Sequence, residues 1–185
     1  MPGSIKKAQE IAAGIPGSFI PNQFENPANP QVHRTTTALE IIEQMDGKLD
    51  AFVCTAGTRG TVTGTGEVLK ARIPGIRFSS SNRRAHPFSQ AATQVPHNIP
   101  GTSPGFIPNT LNTIVYDEIF LISDSEAAKM TRDLARLEGI LVGISTGAAV
   151  HTALKVAKRL GPSKKVLAIA PDTGERYLST NVFRD

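Results

Sequence analysis

The 185-residue chain contains no tryptophan, only two tyrosines and a single cysteine, and each shortage removes a class of function. One cysteine makes no internal disulfide. Cys54 sits in the apolar run Ala51-Phe52-Val53-Cys54, where an inert packing role is expected rather than a nucleophile. Sparse aromatics leave few groups to stack on bases. The net charge of +4 is spread along the chain, and doublets such as Lys6-Lys7, Arg83-Arg84 and Lys164-Lys165 read as solvated surface, so no nucleic-acid partner is expected. No apolar run approaches the roughly 20 residues that a membrane-spanning helix needs, and no membrane association is expected. The residues after Met1-Pro2-Gly3-Ser4 follow a helical pattern, unlike the apolar core of a signal peptide, so a cytoplasmic location is expected. No metal site is expected. What is present, 39% apolar residues at a mean hydropathy of −0.13, suits one sizeable globular core.

Short apolar runs alternate with longer segments of helical spacing, joined by loops containing glycine and proline. That alternation predicts an α/β fold, a parallel sheet flanked by helices, with residues 1–185 as a single domain. A first helix is expected to be capped by Ser4 and stopped at Gly14, with Ser18-Phe19-Ile20 as a short strand. A second helix runs from about Val32 to Met45, with Leu39, Ile42 and Met45 on one face and Gly47 as its stop. The strand Asp50 to Thr55, a helix from Thr61 to Arg72 and the strand Ile76 to Phe78 then make a βαβ unit.

From Ser79 to Asn112 the periodicity disappears, over a span too long for an ordinary connection. Glu118 to Ile122 reads as the next strand. Ser123 and Glu126 form a capping box for a helix carrying Ala127, Met130, Leu134 and Leu137 on one face, closed by Gly139. Ile140-Leu141-Val142 leads into a second small-residue turn, Gly143 to Gly147. The helix that follows turns Ala149, Ala153, Val156, Ala157 and Leu160 inward, and Val166 to Ile169 is the last buried strand.

The strongest chemical signal is the loop Gly57-Thr58-Arg59-Gly60-Thr61, placed between a strand and a helix. Small residues let backbone N–H groups curl around a phosphate, threonine hydroxyls add donors, and the helix start contributes partial positive charge.

Five segments in order then carry a resemblance. They are Gln23-Phe24-Glu25-Asn26-Pro27-Ala28-Asn29-Pro30 with His33 and Thr36-Thr37, the loop Gly57 to Thr61, Pro104 to Pro108, Glu138 to Ala149, and Pro171 to Thr180. Together they resemble cysteine synthase, O-acetylserine sulfhydrylase, of the fold-type II pyridoxal-phosphate enzymes, whose fold is tryptophan-synthase-β-like. The match runs over nearly the whole chain, which corresponds to the C-terminal, larger part of such an enzyme.

The resemblance implies pyridoxal 5'-phosphate as cofactor, its phosphate held by Gly57, Thr58, Gly60 and Thr61, with Arg59 inside the loop, and its ring nitrogen facing Ser145. A hydroxyl at that nitrogen leaves it unprotonated and suits elimination at the β-carbon. Read without the family, Ser145 is an ordinary helix N-cap. The implied reaction replaces the acetate of O-acetylserine by sulfide, giving cysteine. An amino-acid substrate, a homodimer and a serine acetyltransferase whose C-terminal tail enters the cleft are the implied partners.

Two family motifs do not occur: the Ser-x-Lys-Asp-Arg setting of the lysine that carries the cofactor, and the Thr-Ser-Gly-Asn-Thr loop for the substrate carboxylate. The nine lysines lie on expected helix faces, turns or chain ends. No catalytic residue is therefore assigned, and the chain is expected to be inactive alone. Arg59 stands where the family has glycine, Ser79 to Arg84 replace Val-Glu-Pro, and Gly101 to Phe106 depart from the glycine-rich turn. The alternative is a non-catalytic remnant that binds a phosphate-bearing ligand or a partner.

Overall fold

The computed structural model describes residues 2–83 and 108–184. Its strands are β1 Ala51–Thr55, β2 Arg77–Arg83, β3 Glu118–Ile122 and β4 Val166–Ala168. All pair in parallel, in the order β3-β2-β1-β4. The helices are α1 Pro2–Ala13, α2 Ala28–Thr35, α3 Thr37–Gln44, α4 Gly60–Arg72, α5 Asp124–Leu137 and α6 Ile144–Leu160. This is the parallel sheet flanked by helices that the alternation of runs implies.

Strand β1 explains the layering. Side chains alternate across a strand, so a strand buried on both faces needs apolar residues at every position. Phe52 and Cys54 point into one cluster with Ile41 of α3 and Val62 and Leu69 of α4. Ala51 and Val53 point the other way, against Ala153 and Val156 of α6. Phe52 and Phe78 stack at 4.8 Å between ring centroids and are fully buried, each contributing about 2–3 kcal/mol by area. The Cys54 thiol is 2% exposed and burial pushes its pKa above the ordinary value, in keeping with an inert packing role.

Several elements differ from the sequence expectation, each for a physical reason. Helix α1 begins at Pro2, so Ser4 lies inside it and does not cap it. Proline suits a first helical turn because its missing N–H is not needed there. Ser18 to Ile20 form no strand, and Phe19 is 80% exposed, with no neighbouring strand to pair it. The helix expected from Val32 to Met45 is two helices, broken at Thr36, where φ is −125° and ψ −81°. Three threonines in a row accompany the break: β-branching disfavours the helix, and the Thr36 hydroxyl donates to the Val32 carbonyl alongside its own backbone N–H. Ala38 and Ile41 are the residues that α3 buries, while Leu39 is exposed.

Ser79 to Arg83, expected to be irregular, extend β2 between β1 and β3. Ser79 to Ser81 pair on both sides and Asn82 and Arg83 with β3 alone, and Ser80 Oγ donates to the Cys54 carbonyl at 3.3 Å. Hydrophobicity was the wrong guide to that strand. The Gly101 to Phe106 turn lies outside the described residues. The capping box at α5 forms as expected, Glu126 N donating to Ser123 Oγ and Ser123 N to the Glu126 carboxylate. Helix α5 buries Ala127 and Thr131, however, and Leu137 is 77% exposed. Strand β4 is half-buried at the sheet edge, not a fully buried strand.

Candidate functional site

The site lies beyond the C-terminal ends of β1 and β4, where open parallel sheets present loops and helix N-termini to a ligand. A cleft of about 540 Å³ opens there, lined on one side by the loop after β1 and on the other by the start of α6 and the segment after β4.

The first wall is built by α4. Arg59 precedes the helix with φ 70° and ψ 8°, the left-handed conformation in which glycine is at ease. The loop therefore keeps a glycine-type shape with an arginine in it. Arg59 is 6% exposed, and burial lowers its guanidinium pKa, an effect partly offset by the nearby Tyr116 phenol. The N-cap residue Arg59 makes no side-chain cap bond, and Thr58 Oγ1 approaches the first amide, Gly60 N, only at 3.5 Å, which leaves the N-terminal dipole of α4 for whatever occupies the cleft.

Helix α2 fixes this loop from behind. Asn29 Nδ2 donates to Thr58 Oγ1 at 3.0 Å, and Thr110 Oγ1 donates to the Thr58 carbonyl at 2.7 Å. The Thr58 hydroxyl keeps its own proton for a ligand. His33 bridges two threonines, Nε2 to Thr61 Oγ1 at 3.1 Å and Nδ1 to Thr37 Oγ1 at 2.9 Å. Burial lowers the His33 pKa, so the ring is neutral and donates to one hydroxyl while accepting from the other. Glycines allow the approach. A Cβ on Gly60 would sit 1.8 Å from Asn29 Oδ1, and one on Gly64 2.1 Å from the Pro30 carbonyl oxygen.

The second wall is the α6 N-terminus. Gly143 is the N-cap and Ser145 the second helical residue, so the reading of Ser145 as an ordinary N-cap is corrected. The capping carboxylate comes instead from Asp172. Its Oδ2 accepts from Ser145 N at 3.0 Å, its Oδ1 accepts from Thr146 N at 2.9 Å and Thr146 Oγ1 at 2.6 Å, and Tyr177 OH donates to Oδ2 at 2.8 Å. Burial first, and the Asp172 bond second, push the Tyr177 phenol up, so it serves as a neutral donor.

Of the six residues singled out in sequence, Gly57, Thr58, Arg59, Thr61 and Ser145 line the cleft. Gly60 faces Asn29 and serves packing. Sequence reasoning assigned no role to Asn29, His33, Thr110, Asp172 or Tyr177. The four-residue spacing of Asn29 and His33, one face of a helix, was the available signal. No lysine is among the lining residues.

The fold and cleft define an α/β protein with a phosphate-type loop and a hydroxyl-bearing helix start facing each other at the sheet's C-terminal edge. The chain belongs to the pyridoxal-phosphate dependent enzyme family, whose model matches residues 1–172. It is 53% identical over 186 residues to a probable cysteine synthase of Bacillus subtilis (strain 168), covering 99% of this chain and 60% of that protein. Among solved structures, O-ureido-L-serine synthase superposes with a TM-score of 0.92 at 41% identity, over 98% of this chain and 57% of the other. A cysteine synthase from Entamoeba histolytica gives a TM-score of 0.91 at 37% identity, over 100% of this chain and 55% of the other. The chain thus spans about three-fifths of the length of these relatives. No helix among the described residues is long and apolar enough to cross a membrane.

Proposed function

We propose that this chain supplies the cofactor-binding walls of a cysteine synthase, an enzyme that replaces the acetate of O-acetylserine by sulfide. The observation that carries the reading is the placing of the Gly57 to Thr61 loop and Ser145 on opposite sides of one cleft. The residues present suit a phosphate: the α4 start carries no carboxylate, and the Thr58 and Thr61 hydroxyls line the cleft beside it.

When bound, pyridoxal phosphate supplies the electron withdrawal that lets acetate leave the β-carbon. Thr58, Thr61 and the α4 start hold the phosphate, with the Arg59 charge beneath the loop adding electrostatic attraction. His33 orients the Thr61 hydroxyl toward that phosphate. Ser145 would offer its hydroxyl to the ring nitrogen, and the cleft walls would limit the access of water. Overall one C–O bond breaks and one C–S bond forms, with no change of oxidation state between sulfide plus ester and thiol plus acetate.

By the same reading the chain is inactive alone, because none of the cleft-lining residues offers an amine to anchor the cofactor or take a proton from the α-carbon. Mixing the chain with pyridoxal phosphate is expected to give reversible binding and no borohydride-resistant label. Label and sulfide-dependent activity are expected only when a polypeptide supplying the remaining two-fifths of the relatives is added. A stable label on the isolated chain would show that one of its own lysines substitutes, and the proposal of inactivity would fall.

The lysine-free cleft also favours a second reading, a phosphate- or partner-binding protein without catalysis. Calorimetry with phosphate, with pyridoxal phosphate and with a serine acetyltransferase tail peptide separates the two. Heat with the peptide alone would favour the partner-binding reading. The homodimer belongs to the first proposal and is checked by sedimentation.

A further inference from the structure

We infer that Asp172 is a positioning residue of the cleft, fixing Ser145 and Tyr177 as its ring-binding end and keeping anions away from the α6 N-terminus. This rests on the cofactor reading for the identity of the ligand, but the arrangement itself is independent of it. Helix α6 has no cap of its own, since Gly143 has no side chain to offer. The Asp172 carboxylate, from the segment after β4 on the same side of the cleft, takes up that task with four hydrogen bonds, two from first-turn amides and two from hydroxyls.

Gly143 is there to admit it. A Cβ at that position would stand 2.2 Å from Asp172 Oδ2 and 2.4 Å from Tyr177 Cε2. The backbone is stitched as well, Gly143 N donating to the Asp172 carbonyl at 3.1 Å beside an antiparallel bridge between Val142 and Thr173.

The two helix starts that face the cleft therefore differ in charge. The α4 start carries no carboxylate and has Arg59 beside it, while the α6 start is already occupied by a carboxylate. A phosphate-bearing ligand has only one orientation in such a cleft: phosphate at Thr58 and Thr61, and its uncharged or donor end toward Ser145. Asp172 thus selects orientation without touching the phosphate.

The test exploits the scarcity of aromatic residues. With no tryptophan and only Tyr116 and Tyr177, second-derivative ultraviolet absorbance at neutral pH reads the hydrogen bonding of the two phenols, and Tyr177→Phe assigns them. In Asp172→Asn the Tyr177 band is expected to shift to shorter wavelength, as the carboxylate that accepts its hydrogen bond is lost, while the Tyr116 band is unmoved. Pyridoxine 5'-phosphate is expected to bind about tenfold more weakly, and inorganic phosphate within about twofold of the unaltered chain. Loss of structure alone would move both phenols and both ligands together.

Unchanged tyrosine absorbance, or equal weakening of the two ligands, overturns the inference. If the unaltered chain binds neither ligand, the cofactor reading fails and the tyrosine absorbance alone decides whether Asp172 holds this wall. Should Asp172→Asn not fold, Thr146→Val removes only the hydroxyl bond to Oδ1. It is expected to separate the two ligands in the same direction by about threefold, and equal weakening there would count against the inference.

Discussion

Arg59 shows how a single residue can retain a loop's shape while changing its chemistry. A non-glycine residue at φ 70° carries a steric cost of about 1–2 kcal/mol, which persists whatever the side chain touches. Arg59→Gly and Arg59→Ala both remove the guanidinium, but only the first removes the strain. Urea unfolding should therefore find the glycine variant about 1 kcal/mol more stable than the alanine variant, and equality would mean that the loop relaxes on substitution. His33 gives a pH prediction. Its folded pKa lies below the ordinary 6.5, so the fold prefers the neutral ring and its stability is full above pH 6.5. Acidification from about pH 6.5 downward should cost stability as the unfolded chain takes up the proton first. His33→Gln should flatten that part of the profile, leaving the share that His151 contributes in the same direction. The loop itself was legible in sequence, because glycine and threonine between a strand and a helix have few other uses. Asp172 was not, since a cap supplied from 27 residues away leaves no local pattern.

The contact of α2 with α4 depends on glycine at two positions with different consequences. At Gly64 an added Cβ meets the Pro30 carbonyl at 2.1 Å and His33 Cβ at 2.8 Å, both held by α2, so the helices must part. Gly64→Ala should cost about 1–3 kcal/mol in chemical denaturation. At Gly60 the obstacle is the Asn29 side chain, which can swing aside but then releases Thr58. Gly60→Ala should accordingly spare most of the stability and weaken phosphate binding, a split visible by pairing a denaturation curve with calorimetry. Elements with a local signal were read correctly from sequence: β1 and β3 by their apolar runs, α5 by its capping box. Those decided by long-range pairing were not. Nothing in Ser79-Ser80-Ser81-Asn82 announces a central strand, because its stability comes from backbone ladders on both sides.

At the scale of the molecule, the described surface includes large apolar side chains that none of the described residues covers. Ile15 is 53% exposed and Phe19 80%, both in the segment between α1 and the Gln23 to Pro30 stretch, and Leu178 is 62% exposed close to the cleft. Scattered exposed apolar residues are ordinary in a monomer, but adjacent ones mark surface that is covered in the assembled protein. About two-fifths of the relatives' own length lies outside the part that this chain matches, enough polypeptide to cover that surface. If Ile15 and Phe19 serve such an interface, replacing both by serine should leave the unfolding free energy of this chain within about 0.5 kcal/mol, as expected for exposed sites. The same change should weaken association with the complementary polypeptide, read by sedimentation of the mixture. If instead these residues pack within this chain in solution, the double variant should lose about 2 kcal/mol or more, the cost of emptying a buried apolar site. The two outcomes differ by more than the error of a denaturation curve, so one pair of measurements decides whether this apolar segment belongs to the core or to an interface.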